Sequence, residues 1–451
     1  MSLRLSSVGA RGFVGESLTP RVAMDVAAAF GTFLDGGKIL LGHDTRHSSP
    51  MLHSAVTAGL QSCGCEVLDF GICPAPILQF SVPHHSAAGA ITISGSHHGM
   101  GWNALTLIGR DGAVLEPAGG DTVLDSYHSG NFRRADFAHI GVPQTVDGFA
   151  RRYFETLAAL VNTTAIAKSN FTVLIDPVGG SGCAFLEHFS RAVGFRLVGI
   201  NAEPSGYLAR EPEPRPRSAA QMASIIRHVT GHVGFVLSSD MCRLSIVTED
   251  REPASEEHSF ALVAEHVLRK QAGPVVTNIC SSRTIDDIAA RHNSPVVKTP
   301  VGQAYIASAL ADQNGRIGGE GSGSAALPAF SRAFDGFMMM ALILEFMAET
   351  GRPISALLRA LPRYHINKRS VPCKTRRVHH IIERVRETLE DEAGAKSDFT
   401  DGIRIDWPDG WIHVRASQTE QIIRVISEDK KRAAALERSE RIVRLIDQEV
   451  Q

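Results

Sequence analysis

The chain reads as an α/β protein: three α/β units with mixed, mainly parallel sheets, followed by a C-terminal α+β unit. Three observations predict this. Short apolar runs alternate with segments of helical spacing over most of the chain, a βαβ rhythm. The C-terminal part instead places alternating strands side by side between two helices. The length, 451 residues, exceeds what one domain core usually holds.

The elements follow in order. Lys38–Leu41 is a strand running into the turn Gly42-His43-Asp44. Met51–Cys63 is a helix with Leu52, Val56, Leu60 and Cys63 on one stripe. Glu66–Leu68 and Ala90–Ile93 are strands. A second unit opens with the strand Phe171–Asp176, which ends in Gly179-Gly180-Ser181-Gly182. It continues through a helix to Phe195–Val198 and Val233–Leu237. A third unit has Pro274–Ile279, a helix from Thr284, Val296-Val297 and a Met-rich helix near 340. The segment 361–374, LPRYHINKRSVPCK, has two prolines and reads as a linker. Beyond it come a helix from Val378, the strands Gly402–Asp406, Gly410–Val414 and Ile422–Ser427, and a last helix carrying Leu436, Ile442, Val443, Leu445 and Ile446. The predicted division is 1–140, 141–248, 249–360, the linker 361–374, and 375–451.

Composition narrows the function classes. Lys and Arg number 46 against 48 Asp and Glu, a net charge of −2, so no general positive field is available for nucleic acid. The N-terminus lacks a continuous apolar stretch of the secretory kind. Phe337–Ala348 is too short to span a bilayer and contains Glu345, so it reads as a buried helix. Seven scattered cysteines suit no closed disulfide framework. The expectation is a cytoplasmic protein that binds neither membrane nor nucleic acid.

Four loops place small or polar residues where strands end, which is where ligands sit in open α/β sheets. Ile93–Asn103 concentrates Ser, Gly, His97 and His98, and a serine beside a base can be a nucleophile. Leu237–Arg243 puts Asp240 and Arg243 at the end of an apolar strand. Gly318–Ser324 has four glycines in seven residues, which lets backbone approach a ligand closely. Val414–Arg424 sets two arginines, a serine and a threonine in a tight turn between strands, the donor set a phosphate dianion needs.

These loops stand in a particular order with other segments: Arg11-Gly-Phe-Val-Gly15, Gly42-His-Asp44-Thr-Arg46, Ser96-His97 with Trp102-Asn103, Asn201-Ala-Glu-Pro204, Pro212-Glu-Pro214, Thr299-Pro-Val-Gly302, Gly319-Glu320-Gly-Ser322-Gly323, Asp335-Gly336 and Arg415-Ala-Ser417-Gln-Thr419-Glu420. In that order they resemble the α-D-phosphohexomutase superfamily of phosphoglucomutases, phosphomannomutases and phosphoglucosamine mutases. The resemblance implies four domains around a central cleft, each giving one loop. It implies that Ser96 carries a phosphoryl group, passes it to a sugar phosphate and takes back the other phosphate of the resulting bisphosphate. The loop at 238–243 would bind Mg²⁺, that at 319–324 would meet sugar hydroxyls, and that at 415–424 would grip the unreactive phosphate.

The chain departs from the family pattern in its chemistry. The family's Asp-Gly-Asp-x-Asp-Arg is here Ser238-Ser239-Asp240-Met241-Cys242-Arg243, so one of three carboxylates remains. Losing two carboxylates should severely weaken a site for a hard cation. Thr106 stands where the family has lysine, Ser324 where it has histidine, and Pro300 where it has a base before Val-Gly. The phosphate loop and Glu320 are kept. Catalytic candidates are therefore Ser96, His97, His98, Arg11 and Arg243. Substrate-binding candidates are Glu320, Ser322, Arg415, Ser417, Thr419 and Arg424. Asp240 is the metal candidate, with Ser238 and Cys242 at the other ligand positions.

Three readings stay open at this level. One is a mutase acting on hexose phosphates with altered or weak metal dependence, primed by an activator of the glucose 1,6-bisphosphate type. Another is a non-catalytic sugar-phosphate binding or regulatory protein on the same scaffold. A third is a site retuned to a softer metal such as Zn²⁺ through Cys242, Asp240 and a loop histidine. Either a monomer or a homodimer is compatible with the sequence.

Overall fold

The computed structural model describes residues 3–373, 378–390, 394–417 and 422–450. Four sheets account for its strands. The first has seven strands in the order Arg4–Ser6, Gly9–Phe13, Trp102–Ile108, Gly89–Ile93, Gly37–His43, Cys65–Ile72, Gln144–Thr145. Its apolar centre is parallel, and the N-terminal hairpin adds to it antiparallel through Trp102–Ile108. The second sheet runs Leu244–Thr248, Val233–Leu237, Thr172–Asp176, Arg196–Gly199. The third runs Val296–Thr299, Val275–Asn278, Ile317–Glu320, Ser324–Ala326. In both, three strands are parallel and one edge is antiparallel. Central strands such as Thr172–Asp176 and Val233–Leu237 are buried along their whole length, as a sheet covered on both faces requires. The fourth sheet is antiparallel, with five strands. The three α/β units and the α+β unit are thus as expected.

The stretch 361–374 is not a bare linker. It holds the strand His365–Pro372, which pairs antiparallel with Ile422–Asp429 along its whole length and forms an edge of the fourth sheet. The strand shows little apolar alternation because edge strands carry charge against stray pairing. Pro372 falls at the strand's last position, where a missing N–H is tolerated.

Packing divides the molecule unequally. One continuous apolar core joins the first three units, with Phe80, Tyr153, Phe189, Phe260 and Phe337 in it. Phe337 belongs to the Met-rich helix Gly336–Thr350, which is capped by the Asp335 carboxylate at the Met338 N–H and ends at left-handed Gly351. Glu345, at the centre of this helix, accepts hydrogen bonds from His266 Nε2 at 2.7 Å and the Asn162 N–H at 2.7 Å, and pairs with Lys270 at 2.6 Å. Burial would raise its pKa, yet these partners hold it at about 2. The fourth unit has its own core, including Ile381, Val385, Ile405, Val414 and Ile446, and among the described residues none from the other three units enters it. Its ties to the third unit include polar contacts. Arg283 pairs with Asp406 at 2.7 Å, Arg404 donates to the Ile279 carbonyl, and Lys368 reaches Glu256 at 2.9 Å and Glu257 at 2.7 Å. Among the described residues no helix is long and apolar enough to cross a membrane.

Candidate active site

The four units enclose one cavity of about 800 Å³. Ser96, His97, His98 and Arg11 line it from the first unit, and Asp240, Cys242 and Arg243 from the second. Glu320 and Ser322 come from the third, and Arg415, Ser417 and Arg424 from the fourth. Ser238 lies behind the wall and is fully buried. Thr419 lies outside the described residues.

The Ser96 loop is built around Asp44 and Arg46. Asp44 follows the strand Gly37–His43, and both side chains are 1% exposed. Asp44 Oδ2 accepts from Arg46 Nε at 2.9 Å, Ser94 Oγ at 2.8 Å and the Gly95 N–H at 3.2 Å. The Arg46 guanidinium then donates to the carbonyls of Ser96, His98 and Gly99 at 3.0, 2.7 and 3.1 Å. Position 95 must be glycine, because a Cβ there would lie 2.5 Å from that guanidinium. Ser96 itself sits at φ 49°, a left-handed conformation uncommon for a side-chain-bearing residue. Its N–H is held by Ser94 Oγ at 3.0 Å, and its carbonyl also accepts from Ser239 Oγ of the second unit at 2.8 Å.

Two imidazoles flank the serine. His97 Nδ1 is 3.4 Å from Ser96 Oγ, and His98 Nε2 is 2.9 Å from Arg11 Nη1. A guanidinium only donates, so His98 Nε2 is the bare, accepting nitrogen. Burial first, then the charge of Arg11 and that of Arg243, lowers the His98 pKa to about 3. Burial, followed by Arg243, holds His97 well below its ordinary value. Both rings are neutral at physiological pH. His97 is thus positioned to take or return the Ser96 proton.

In the third unit, Glu320 Oε1 accepts from the Gly302 N–H at 3.1 Å, and Ser322 Oγ lies 3.4 Å from Glu320 Oε2. In the fourth, Arg415 is 8% exposed and donates to the Ala416 carbonyl at 3.4 Å, while its Nε is buried with no hydrogen-bond partner among the described residues. A buried guanidinium nitrogen without an acceptor costs free energy unless a ligand supplies one.

The residues at 238–243 do not fit Mg²⁺. Ser238 Oγ donates to Asp240 Oδ1 at 2.6 Å, and the same oxygen accepts the Cys242 N–H at 3.1 Å. Ser238 Oγ also accepts the Arg243 N–H at 3.0 Å. The serine stands as a proton donor where a ligand would offer lone pairs. Burial, with Asp240 next, pushes the Cys242 thiol up, which disfavours the thiolate a softer metal would take. Among the described residues no three His, Cys, Asp or Glu side chains are grouped to hold a metal ion.

Sequence reasoning missed the roles of Arg46 and Ser239, and Lys368 and Glu257 also line the cavity. Asp44-Thr-Arg46 after a strand was the available signal for the first. Lys368 was hidden inside the supposed linker.

Comparison with known proteins agrees with this geometry. Models of phosphoglucomutase/phosphomannomutase domains match in order: α/β/α domain I at 5–134, domain II at 151–251, domain III at 255–364, and the C-terminal domain at 378–445. A phosphoglucomutase/phosphomannomutase of Thermococcus kodakarensis is 35% identical over 455 aligned residues, covering 99% of each chain. A protein of Pyrococcus horikoshii described as a probable phosphoglucosamine mutase is 32% identical, covering 93% of this chain and 92% of its own. The crystal structure of a phosphoglucomutase/phosphomannomutase family protein from Burkholderia thailandensis superposes with a TM-score of 0.86 at 22% identity, covering 99% of this chain and 98% of its own. With all four domain models in sequence and full-length relatives above 30% identity, the chain belongs to the phosphoglucomutase/phosphomannomutase family of α-D-phosphohexomutases.

Proposed function

We propose that this protein is a hexose-phosphate mutase that moves a phosphoryl group between C1 and C6 of the sugar through Ser96, with altered or weak dependence on metal. One observation carries the reading: a single cavity brings Ser96, the sugar-facing carboxylate Glu320 and the under-used guanidinium of Arg415 together. Its volume of about 800 Å³ lies within the range of small-molecule sites. We take the four walls to be the units 1–140, 141–248, 249–360 and 375–451, with the strand at 365–372 counted in the last.

In the priming step a hexose 1,6-bisphosphate gives one phosphoryl group to Ser96 Oγ. The P–O bond to the sugar breaks as the P–O bond to Ser96 forms. The Ser96 proton passes to His97 Nδ1 and then to the departing sugar oxygen, leaving a hexose monophosphate and phosphoserine. Transfer to the other end of a monophosphate reverses these bonds. Such transfers depend chiefly on positioning and on charge stabilisation.

The test is intact-protein mass spectrometry after incubation with glucose 1,6-bisphosphate, with peptide mapping. One phosphate on Ser96 that departs on addition of a hexose 1-phosphate supports the mutase. Retained hexose-phosphate binding with no phosphate transfer under any condition would overturn it in favour of a binding protein.

A further inference from the structure

The second-unit loop and the two arginines beside Ser96 carry an inference that rests on the reading of Ser96 as a phosphate site. The loop at 238–243 is closed upon itself. Its serine hydroxyl, its carboxylate and its backbone are joined by the bonds Ser238 Oγ to Asp240 at 2.6 Å, Cys242 N–H to Asp240 at 3.1 Å, and Ser238 N–H to the Arg243 carbonyl at 3.1 Å. The loop therefore keeps its shape without a cation at its centre. It is also joined to the phosphate end of the cavity by Ser239 Oγ at the Ser96 carbonyl.

Positive charge at Ser96 has another source. Arg11 approaches from the first unit through His98, and Arg243 from the second unit, 3.4 Å from Glu213. Arg11 and Arg243 line the same cavity wall as Ser96, His97 and His98, and with Arg424 they hold down the basicity of both rings. A serine-borne phosphate carries roughly −1.5 to −2 charge at neutral pH. Arg11, and Arg243 in so far as it turns from Glu213 to the phosphate, offer that charge paired N–H donors for its oxygens. A dication placed here would meet the repulsion of these arginines with Asp240 as the one carboxylate of the loop.

We propose that the phosphate group at Ser96 is neutralised by Arg11 and Arg243, and that this site takes and holds phosphate without a divalent cation.

The experiment uses full-length protein stripped of metal, with metal content checked by elemental analysis. Labelling of Ser96 by glucose 1,6-bisphosphate is followed by mass spectrometry in EDTA and in millimolar Mg²⁺, and Mg²⁺ alone is titrated calorimetrically. The expected result is labelling within about twofold in the two media and no saturable Mg²⁺ heat. Arg243→Gln is expected to slow labelling at least about tenfold in both, the loss of one charge-assisted pair. Arg11→Gln gives a second, independent reading, and circular dichroism confirms that each variant is folded. Labelling that requires Mg²⁺ would overturn the inference while leaving the mutase reading intact. If no labelling occurs in either medium, the mutase reading fails. Binding of inorganic phosphate then decides: affinity that is lowered by Arg243→Gln and indifferent to Mg²⁺ sustains the inference, and affinity that needs Mg²⁺ overturns it.

Discussion

Two edges of the same cavity are built on opposite plans. At 238–243 a hydroxyl, one oxygen of a carboxylate and backbone amides are bonded to one another. At Arg415 a guanidinium nitrogen is buried with no acceptor among the described residues. A loop bonded in this way holds its shape before any ligand arrives, and offers the Arg243 side chain from a fixed frame. An under-used donor set stays costly until an anion arrives. The difference locates demand for ligand in the fourth unit and in the arginines, and rigidity in the second.

Breaking this contrast should give effects of graded size. The largest is Ser96→Ala, which should abolish transferable phosphate while hexose 6-phosphate still binds, as read by mass spectrometry and calorimetry. Next is Arg415→Ala, which should weaken hexose-phosphate binding by about 10- to 100-fold, the worth of a charge-assisted pair. Loss of phosphate labelling in Arg415→Ala with undiminished binding would contradict the contrast. Ser239→Gly removes the hydroxyl at the Ser96 carbonyl. It should slow labelling by about tenfold or less, with phosphate affinity nearly kept, because it positions Ser96 without touching the ligand. The smallest effect is on pH. With His98 at about 3, that ring does not titrate between pH 5 and 8, and burial with Arg243 shifts His97 in the same direction. The rate of labelling should show only the second ionisation of the phosphate itself, near pH 6. A further inflection that vanishes in His97→Gln would refute the neutral-histidine assignment.

Much of this was legible in the sequence, for identifiable reasons. The strand Thr172–Asp176 is apolar throughout because it is covered on both faces, and the loops beyond such strands announce themselves in glycine and serine. Met-rich 337–348 could be read as a buried helix because it is too short to span a bilayer and carries Glu345. Other features depended on contacts between distant residues. Arg46 reaches Ser239 across 193 positions, and no local pattern encodes that meeting. The strand His365–Pro372 was masked by its charge and its proline, the very traits that suit an edge.

The separate core of the fourth unit has a thermal consequence. A calorimetric scan should show an endotherm of the fourth unit's own, since cooperativity follows continuous apolar packing. The first three units share one core, beside a second core within the first unit, and should melt apart from the fourth. Glu345 at about 2, against 4.5 for the free group, contributes stability that is complete above pH 4.5 and is lost as pH falls towards 2. His98 at about 3 adds to the trend: below 6.5 the unfolded chain takes up a proton that the folded ring refuses. Asp335 at about 6 and Glu257 at about 7 pull the other way, and His413 at about 4 makes the fourth unit acid-sensitive as well, so Glu345→Gln should flatten the acid response of the larger endotherm alone.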